Sequence, residues 1–453
     1  MANISLAERD LKHIWHPCSQ MKDYEELPPI VVDRAKGVYL YDTDGKRYID
    51  VVSSWWCNLL GHCNDRINAA VKSQIDRLEH VIFANFSHEP AITLCEKLSA
   101  LTPVALNKFF FTDNGSSAIE AAMKMSFQYH IQSSIPGHSR KRRFMALSDA
   151  YHGETLGALS VGGVDLYSEL YRPLLIDVVR IEAPDCYRCK YGASRETCSA
   201  ECFASAEETF DRFGDETCAL LVEPLLQCAA GMRIYPSLYL EKLKKICVAY
   251  GVHLIADEIA TGYGRTGKMF ACGHADVTPD IMCLSKGLTG GYMPMALAVT
   301  TDEIYDAFYA DYSENRAFMH SHTYCGNPLA CSAAVEVLNI MSDEDIIGGV
   351  AIKAPIFTAM AQSEMSGIKW VGEIRHIGLI NAIELVEDSA TKKPFDPKRR
   401  CGYQIYRRAL SKGVLLRPLG DVMYFNPPLV MEEKDMRHAL RVCAECIREV
   451  LME

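Results

Sequence analysis

Between residues 65 and 340 the chain alternates short apolar runs with segments of helical period, a pattern that few folds accept. The runs "RRFMALSDA", "ALLVEPL", "VHLIADEI", "DIMCLSKG" and "MALAVTT" are too short for helices and too apolar for exposed strands. They read as buried strands. Between and before them lie "EPAITLCEKLSAL", "SSAIEAAMKMSFQYH" and "SLYLEKLKKICVAYG", whose apolar residues return every three or four positions, with Gly251 placed to end the last. Strands alternating with helices predict an α/β domain around a mostly parallel sheet. Both ends of the chain differ. "GVYLYDTDGKRYIDVV" alternates and turns at Asp44-Gly45, a hairpin pattern. "IGLINAIEL", "GVLLRPLG" and "VMYFNPPLV" are short strands beside the helical "KDMRHALRVCAECIREVLM". The expected organisation is a large domain over 65–340 and a smaller α+β domain assembled from 1–64 and 341–453.

Composition excludes several classes. The 453 residues carry a net charge of −11 and no sustained basic block, which argues against a nucleic-acid partner. "MANISLAERDLKHIWHP" lacks the apolar stretch of a signal peptide, and no apolar run approaches the roughly 18 residues of a membrane span. A soluble cytoplasmic protein is expected, in which the 18 cysteines are reduced thiols. Cys186, Cys189, Cys198 and Cys202 form C-x₂-C-x₈-C-x₃-C, which suits either a metal or a surface insertion with free thiols. No metal is assigned.

Three elements carry chemistry. "IADEIATGYGRTGKM" contains both G-x-G-x-x-G (Gly262, Gly264, Gly267) and G-x-x-x-x-G-K. A P-loop needs Ser or Thr after its lysine to hold Mg²⁺, and Met269 stands there. A dinucleotide fingerprint needs its first glycine in the turn leaving the strand, yet Glu258 to Thr261 intervene after Asp257. Taken alone, the glycines suit a surface turn equally well. Asp257 is more telling, because a carboxylate at the carboxyl end of a buried strand stands where α/β sheets bind ligands. Lys286 ends another apolar run and precedes Gly287, Gly290 and Gly291. A buried amine becomes nucleophilic toward carbonyls. In "FFFTDNGSSAIEAAMKM" a strand passes through Asn-Gly-Ser-Ser into a helix, whose free N–H groups favour phosphate. Each element has a common structural explanation: an ion pair, a surface lysine, a helix cap. Together they describe pyridoxal 5′-phosphate, with a lysine for the aldehyde, a carboxylate for the ring nitrogen and a helix start for the phosphate.

The chain resembles the class III (ω-) aminotransferases of the pyridoxal-phosphate type I fold along nearly its whole length. "HIWHPCSQM", "SSWWCNLLGH", "TDNGSSAIEAAMKM", "YHGETLGALSV", "ADEIATGYGRTGKMFAC", "LSKGLTGGYMPMA", "HTYCGNPLACSAA" and "RPLGDVMYFNPP" carry the likeness. Among them it is most similar to the biotin-synthesis enzymes that convert 8-amino-7-oxononanoate to 7,8-diaminononanoate. The resemblance implies that Lys286 bonds the cofactor and moves the substrate proton. It implies that Asp257 pairs with the ring nitrogen, that Gly115 and Ser116 hold the phosphate and that Tyr151 stacks on the ring. Trp55, Tyr151, Lys286, Ser321 and Arg417 would bind substrate, with Arg417 on the carboxylate and Arg265 in the surrounding region. Thr323 would reach the cofactor of a neighbouring subunit, so a homodimer with shared sites is implied. The implied donor is S-adenosylmethionine. "QMKDYEE" and "RPLGDV" resemble relatives that use lysine, and Cys18 stands where an aromatic residue is common, so lysine stays open as a donor. Glu154 stands where Asp is common.

Overall fold

The computed structural model describes residues 4–452. Its centre is a seven-stranded sheet of β1 (Lys108–Thr112), β2 (Arg143–Leu147), β3 (Val178–Ile181), β4 (Thr217–Val222), β5 (His253–Asp257), β6 (Ile281–Leu284) and β7 (Ala296–Thr300), in the order β1-β7-β6-β5-β4-β2-β3. Only β7 runs antiparallel to its neighbours. Every residue of β4, β6 and β7 is buried, as strands covered on both faces must be. β3 has no apolar run of its own to announce it. The carboxyl ends of β1, β2, β4, β5 and β6 consequently share one edge of the sheet, the edge at which open α/β sheets take ligands.

The predicted helices form over Glu89–Ser99, Gly115–Gln132 and Ser237–Tyr250, the last closed by Gly251 at φ +60°. The predicted hairpin pairs Tyr39–Asp42 with Arg47–Asp50, and Val414–Leu415 adds in parallel to Arg47–Asp50, so one four-stranded sheet holds strands from both ends of the chain. Val371–Ile377, Ile380–Leu385 and Val422–Phe425 make a separate antiparallel sheet. One expectation is corrected here. The helix Ile346–Met365, with 20 residues and a mean hydropathy of 1.3, is long and apolar enough to cross a membrane. It carries Lys353 and Pro355, and its Val350, Phe357, Ala361 and Met365 join the main apolar core.

Between the hairpin and the sheet the chain makes an unusual turn. Ser53, Ser54, Trp55 and Trp56 all have positive φ (50°, 43°, 72° and 72°). Such a conformation costs about 1–2 kcal/mol per residue, so surrounding bonds must over-determine it. Asp50, fully buried, supplies three of them. It accepts from the Val52 amide (3.2 Å) and the Ser54 hydroxyl (2.7 Å), and it pairs with His62 Nε2 (3.0 Å). Ser53 Oγ donates to the Asn426 carbonyl (2.7 Å), and Trp56 Nε1 donates to the Tyr424 hydroxyl (2.9 Å). Burial works to raise the Asp50 carboxyl, yet hydrogen bonds from His62 and Ser54 hold it below the ordinary carboxylate value. A depressed folded value stabilises the protein above the unfolded value of about 3.9 and is lost as pH falls through the folded one. Replacing Asp50 by alanine strands these donors and should remove about 3 kcal/mol of stability, seen as a lower thermal midpoint. An unchanged midpoint would show that the turn is held by other means.

Candidate active site

A cavity of about 520 Å³ lies at the carboxyl edge of the sheet, lined among others by Asn114, Gly115, Ser116, Tyr151, Asp257 and Lys286. Each wall follows from a local feature of the sequence. β1 ends in Thr112, and Asn114 then caps the Gly115–Gln132 helix, its Oδ1 accepting from the Ser117 amide at 3.0 Å. A Cβ on Gly115 would meet Ile259 Cδ1 at 2.9 Å, so a side chain there would crowd the segment after Asp257. The loop after β2 crosses the helix start closely. Ser116 Oγ accepts from the Glu154 amide (3.2 Å), and a Cβ on Gly153 (φ +124°) would lie 2.0 Å from that oxygen. Only glycine permits the approach.

Asp257 ends β5 and is 5% exposed. Its Oδ1 accepts from the Ile259 amide (3.1 Å), and its Oδ2 lies 2.8 Å from His152 Nδ1, which fixes the proton on that nitrogen. His152 Nε2 is buried without a partner. On the neighbouring strand, Val222 pairs with Ala256, so Glu223 emerges beside Asp257. Burial, and after it the charge of Asp257, pushes the Glu223 carboxyl well above the usual range. The site therefore sets two carboxyl groups side by side, with burial and their mutual repulsion opposing a charge on Glu223. Lys286 follows β6 at φ +43°, and its Nζ stands 5.3 Å from the Trp56 ring centroid. Gly287 behind it packs so tightly that a Cβ would meet Leu59 Cδ1 at 2.9 Å.

This cavity shares Trp56, Tyr151 and Lys286 with a wider cleft of about 1460 Å³. Trp55 and Arg417 line the cleft, with the guanidinium 4.4 Å from the Trp55 ring centroid and an Nη donating to the Cys18 carbonyl at 3.2 Å. Among the described residues no carboxylate forms an ion pair with Arg417. Glu154 accepts from the Tyr151 hydroxyl (3.0 Å) and lies 3.6 Å from Cys18 Sγ. Burial and then the charge of Glu154 push up the Cys18 thiol, and the same two causes push up the Tyr151 phenol.

Lys286, Asp257, Tyr151, Gly115, Ser116, Trp55 and Arg417 thus come together, whereas Ser321 and Thr323 are exposed and line neither cavity. Arg265 lies behind the tryptophan turn. It is 1% exposed, donates to the carbonyls of Pro427, Trp56 (3.5 Å) and Asn58 (3.4 Å), and lines neither of the two cavities; burial lowers its pKa to about 10. Lys268 of the same loop donates to the Gly273 carbonyl, and buried Glu258 accepts from Thr261 Oγ1 and the amides of Ala271 and Cys272. The glycine-rich stretch is a folded structural loop. Cys186, Cys189, Cys198 and Cys202 are partly buried, and no three of their sulfurs lie within 4.8 Å of one another. His152 and Glu223 escaped the sequence reading. Their only signals were adjacency to Tyr151 in "YHGETLGALSV" and a charge closing the apolar "ALLVE".

The arrangement suits pyridoxal phosphate: an amine and a carboxylate on separate walls, a helix start with unbonded amides, and an orphaned imidazole nitrogen. Comparison with known proteins agrees. The family model for class-III aminotransferases matches residues 20–447. The adenosylmethionine-8-amino-7-oxononanoate aminotransferase of Geobacter sulfurreducens is 42% identical over 436 residues, covering 95% of each chain. That of Helicobacter pylori is 41% identical over 449 residues, covering 98% of each. Among solved structures, the corresponding enzyme of Methanocaldococcus jannaschii superposes with a TM-score of 0.92 at 37% identity over 98% of both chains. The omega transaminase of Pseudomonas jessenii, solved in complex with PMP, superposes with a TM-score of 0.93 at 30% identity, over 99% of this chain and 98% of that one. With the match running through both ends of the sheet and around a cavity shaped for the group such enzymes carry, this chain belongs to the class III aminotransferases and works with pyridoxal 5′-phosphate.

Proposed function

We propose that the protein transfers an amino group to the ketone of 8-amino-7-oxononanoate, giving 7,8-diaminononanoate in cytoplasmic biotin synthesis, with S-adenosylmethionine as donor. The observation that carries this reading is Arg417. It is a cation without a protein carboxylate, laid against Trp55 in a cleft that runs to Lys286. Such a group suits the far carboxylate of a long oxo-acid. Glu154 and Arg417 both contact Cys18, so an acid and a base stand close together on one wall. Both 8-amino-7-oxononanoate and S-adenosylmethionine carry an ammonium and a carboxylate. The names of the similar enzymes point the same way.

Bound pyridoxal phosphate supplies the electron sink for the carbanion that forms when the substrate carbon loses its proton. Lys286 Nζ takes and returns that proton, which is worth about 10² to 10⁴ in rate for a positioned base. Asp257, held in place by His152 and the Ile259 amide, would be the carboxylate for the ring nitrogen. Gly115 and Ser116 at the helix start would hold the phosphate, and Tyr151 would cover the ring. The exposed Ser321 and Thr323 reach the cavity of a second copy, the latter at the phosphate, making a homodimer with shared sites. Lysine is the second reading for the donor. Cys18 favours it, because a small thiol at the cleft wall gives no aromatic surface for an adenosyl group.

Replacing His152 by phenylalanine removes one hydrogen bond to a buried carboxylate, worth about 1.5–3 kcal/mol. The variant should hold the cofactor roughly 10- to 100-fold more weakly in a titration after dialysis. Equal retention would deny His152 its positioning role. Arg417→Ala should raise the apparent KM for the oxo-acid far more than that for the donor, and equal losses would refute the assignment. Mixing the holoenzyme with each donor alone decides between the readings. S-adenosylmethionine is expected to bleach the visible band of the bound cofactor, and bleaching by lysine alone would establish the second.

A further inference from the structure

Beside the phosphate cradle stands a group of side chains that transamination does not use. Asp113 follows β1 and immediately precedes the Asn114 cap. His322 and Cys325 belong to the loop that carries Thr323. One carboxylate oxygen, one ring nitrogen and the sulfur of these three residues all lie within 4.8 Å of one another, the sole such set of His, Cys, Asp or Glu ligands among the described residues. All three side chains are partly buried.

The detailed geometry separates a metal site from a plain ion pair. His322 Nδ1 stands 3.3 Å from Asp113 Oδ2. An ion pair would aim its N–H at that oxygen, yet Nδ1 is buried with no hydrogen-bond partner. Two ligands bound at about 2.0 Å to a tetrahedral ion stand about 3.3 Å apart and point at a shared centre, not at each other. Cys325 Sγ is held at the same place from two sides. It lies 3.3 Å from the His322 amide and 3.0 Å from the Phe111 carbonyl. Asp, His and Cys together offer oxygen, nitrogen and sulfur, a donor set that suits borderline-soft Zn²⁺ and is poor for Mg²⁺ or Ca²⁺.

We propose that Asp113, His322 and Cys325 form a Zn²⁺ site, with water in the fourth position. Three protein ligands with one open position is a known zinc arrangement. On binding, Cys325 gives up its thiol proton and the sulfur's contact to the Phe111 carbonyl is exchanged for a bond to the ion, so one proton is released for each ion bound. The ion ties the end of β1, from which the Gly115 helix starts, to the loop of Ser321 and Thr323. The proposal stands without any of the substrate assignments above.

The test uses metal-stripped holoprotein titrated with Zn²⁺ by calorimetry in two buffers of different ionisation enthalpy, and with Co²⁺ as an optical probe. Expected are one ion per chain, proton release on binding, affinity that rises with pH, and a thiolate-to-Co²⁺ charge-transfer band. Cys325→Ser should abolish the band, and both Cys325→Ser and His322→Ala should weaken Zn²⁺ by more than about tenfold, the least that loss of even an outer partner brings. The cofactor absorbance and the thermal midpoint in chelator confirm that each variant is folded. A Cys186→Ser/Cys202→Ser variant should bind as the parent does. Absence of saturable binding overturns the proposal. So does unchanged binding in both site variants, or loss of binding in the Cys186/Cys202 variant, which would place the ion in the cysteine-rich segment.

Discussion

A charge at the end of a buried strand sets the terms for everything around it. Asp257 has little water to solvate it, and an unpaired carboxylate there would be expensive. The fold meets that cost with two donors, the Ile259 amide and His152 Nδ1. Neighbouring strands lie about 4.8 Å apart, so Glu223 emerges close to Asp257, and burial together with the charge of Asp257 pushes its carboxyl well above the usual range. Asp257 and Lys286 thus line one cavity at the carboxyl edge of the sheet. Parallel strands place both groups at the same edge without any special loop.

The substrate side rests on a different kind of constraint. Four consecutive residues in the left-handed region are not a conformation that a free chain holds. Asp50 anchors the turn from one side and Arg265 from another, its guanidinium drawn onto the carbonyls of Trp56 and Asn58. The guanidinium is buried, and backbone carbonyls receive it. Its task is to present Trp55 to the cleft and Trp56 to Lys286. Arg265 thus bears on the cleft through the tryptophans.

Much of this was legible in the sequence, and the reason is periodicity. The strands β1, β2, β4, β5, β6 and β7 are apolar runs of a length that only buried strands use, and Asp257 and Lys286 stood out because charges rarely close such runs. Gly153 and Gly287 are required by close approaches, but nothing in the sequence says what approaches them. His152 and Glu223 were missed because each is a lone residue whose meaning is a contact across strands. The burial of Arg265 could not be read, because a charge in a glycine-rich stretch gives no sign that the loop folds inward around Glu258. The Ile346–Met365 helix was missed as a long apolar segment because its lysine and proline break the run to the eye, while its average stays high. Ser321 and Thr323 are expected at a site only through the resemblance, since a single chain leaves them exposed.

The wall made by Cys18, Glu154 and Arg417 links these two halves. Burial and Glu154 push up the Cys18 thiol, and Glu154 is the carboxyl group that accepts from the Tyr151 hydroxyl. The thiol is also small, so it leaves room where a larger residue would define a shape. Recognition at this wall must then come from charge placement more than from contact area. A substrate with an ammonium and a carboxylate has a partner for each, and a plain amine finds only Glu154. A cleft organised this way discriminates by leaving Arg417 unpaired when the wrong molecule enters, and an unpaired cation laid on an aromatic ring is costlier to strand than a methylene is to misplace.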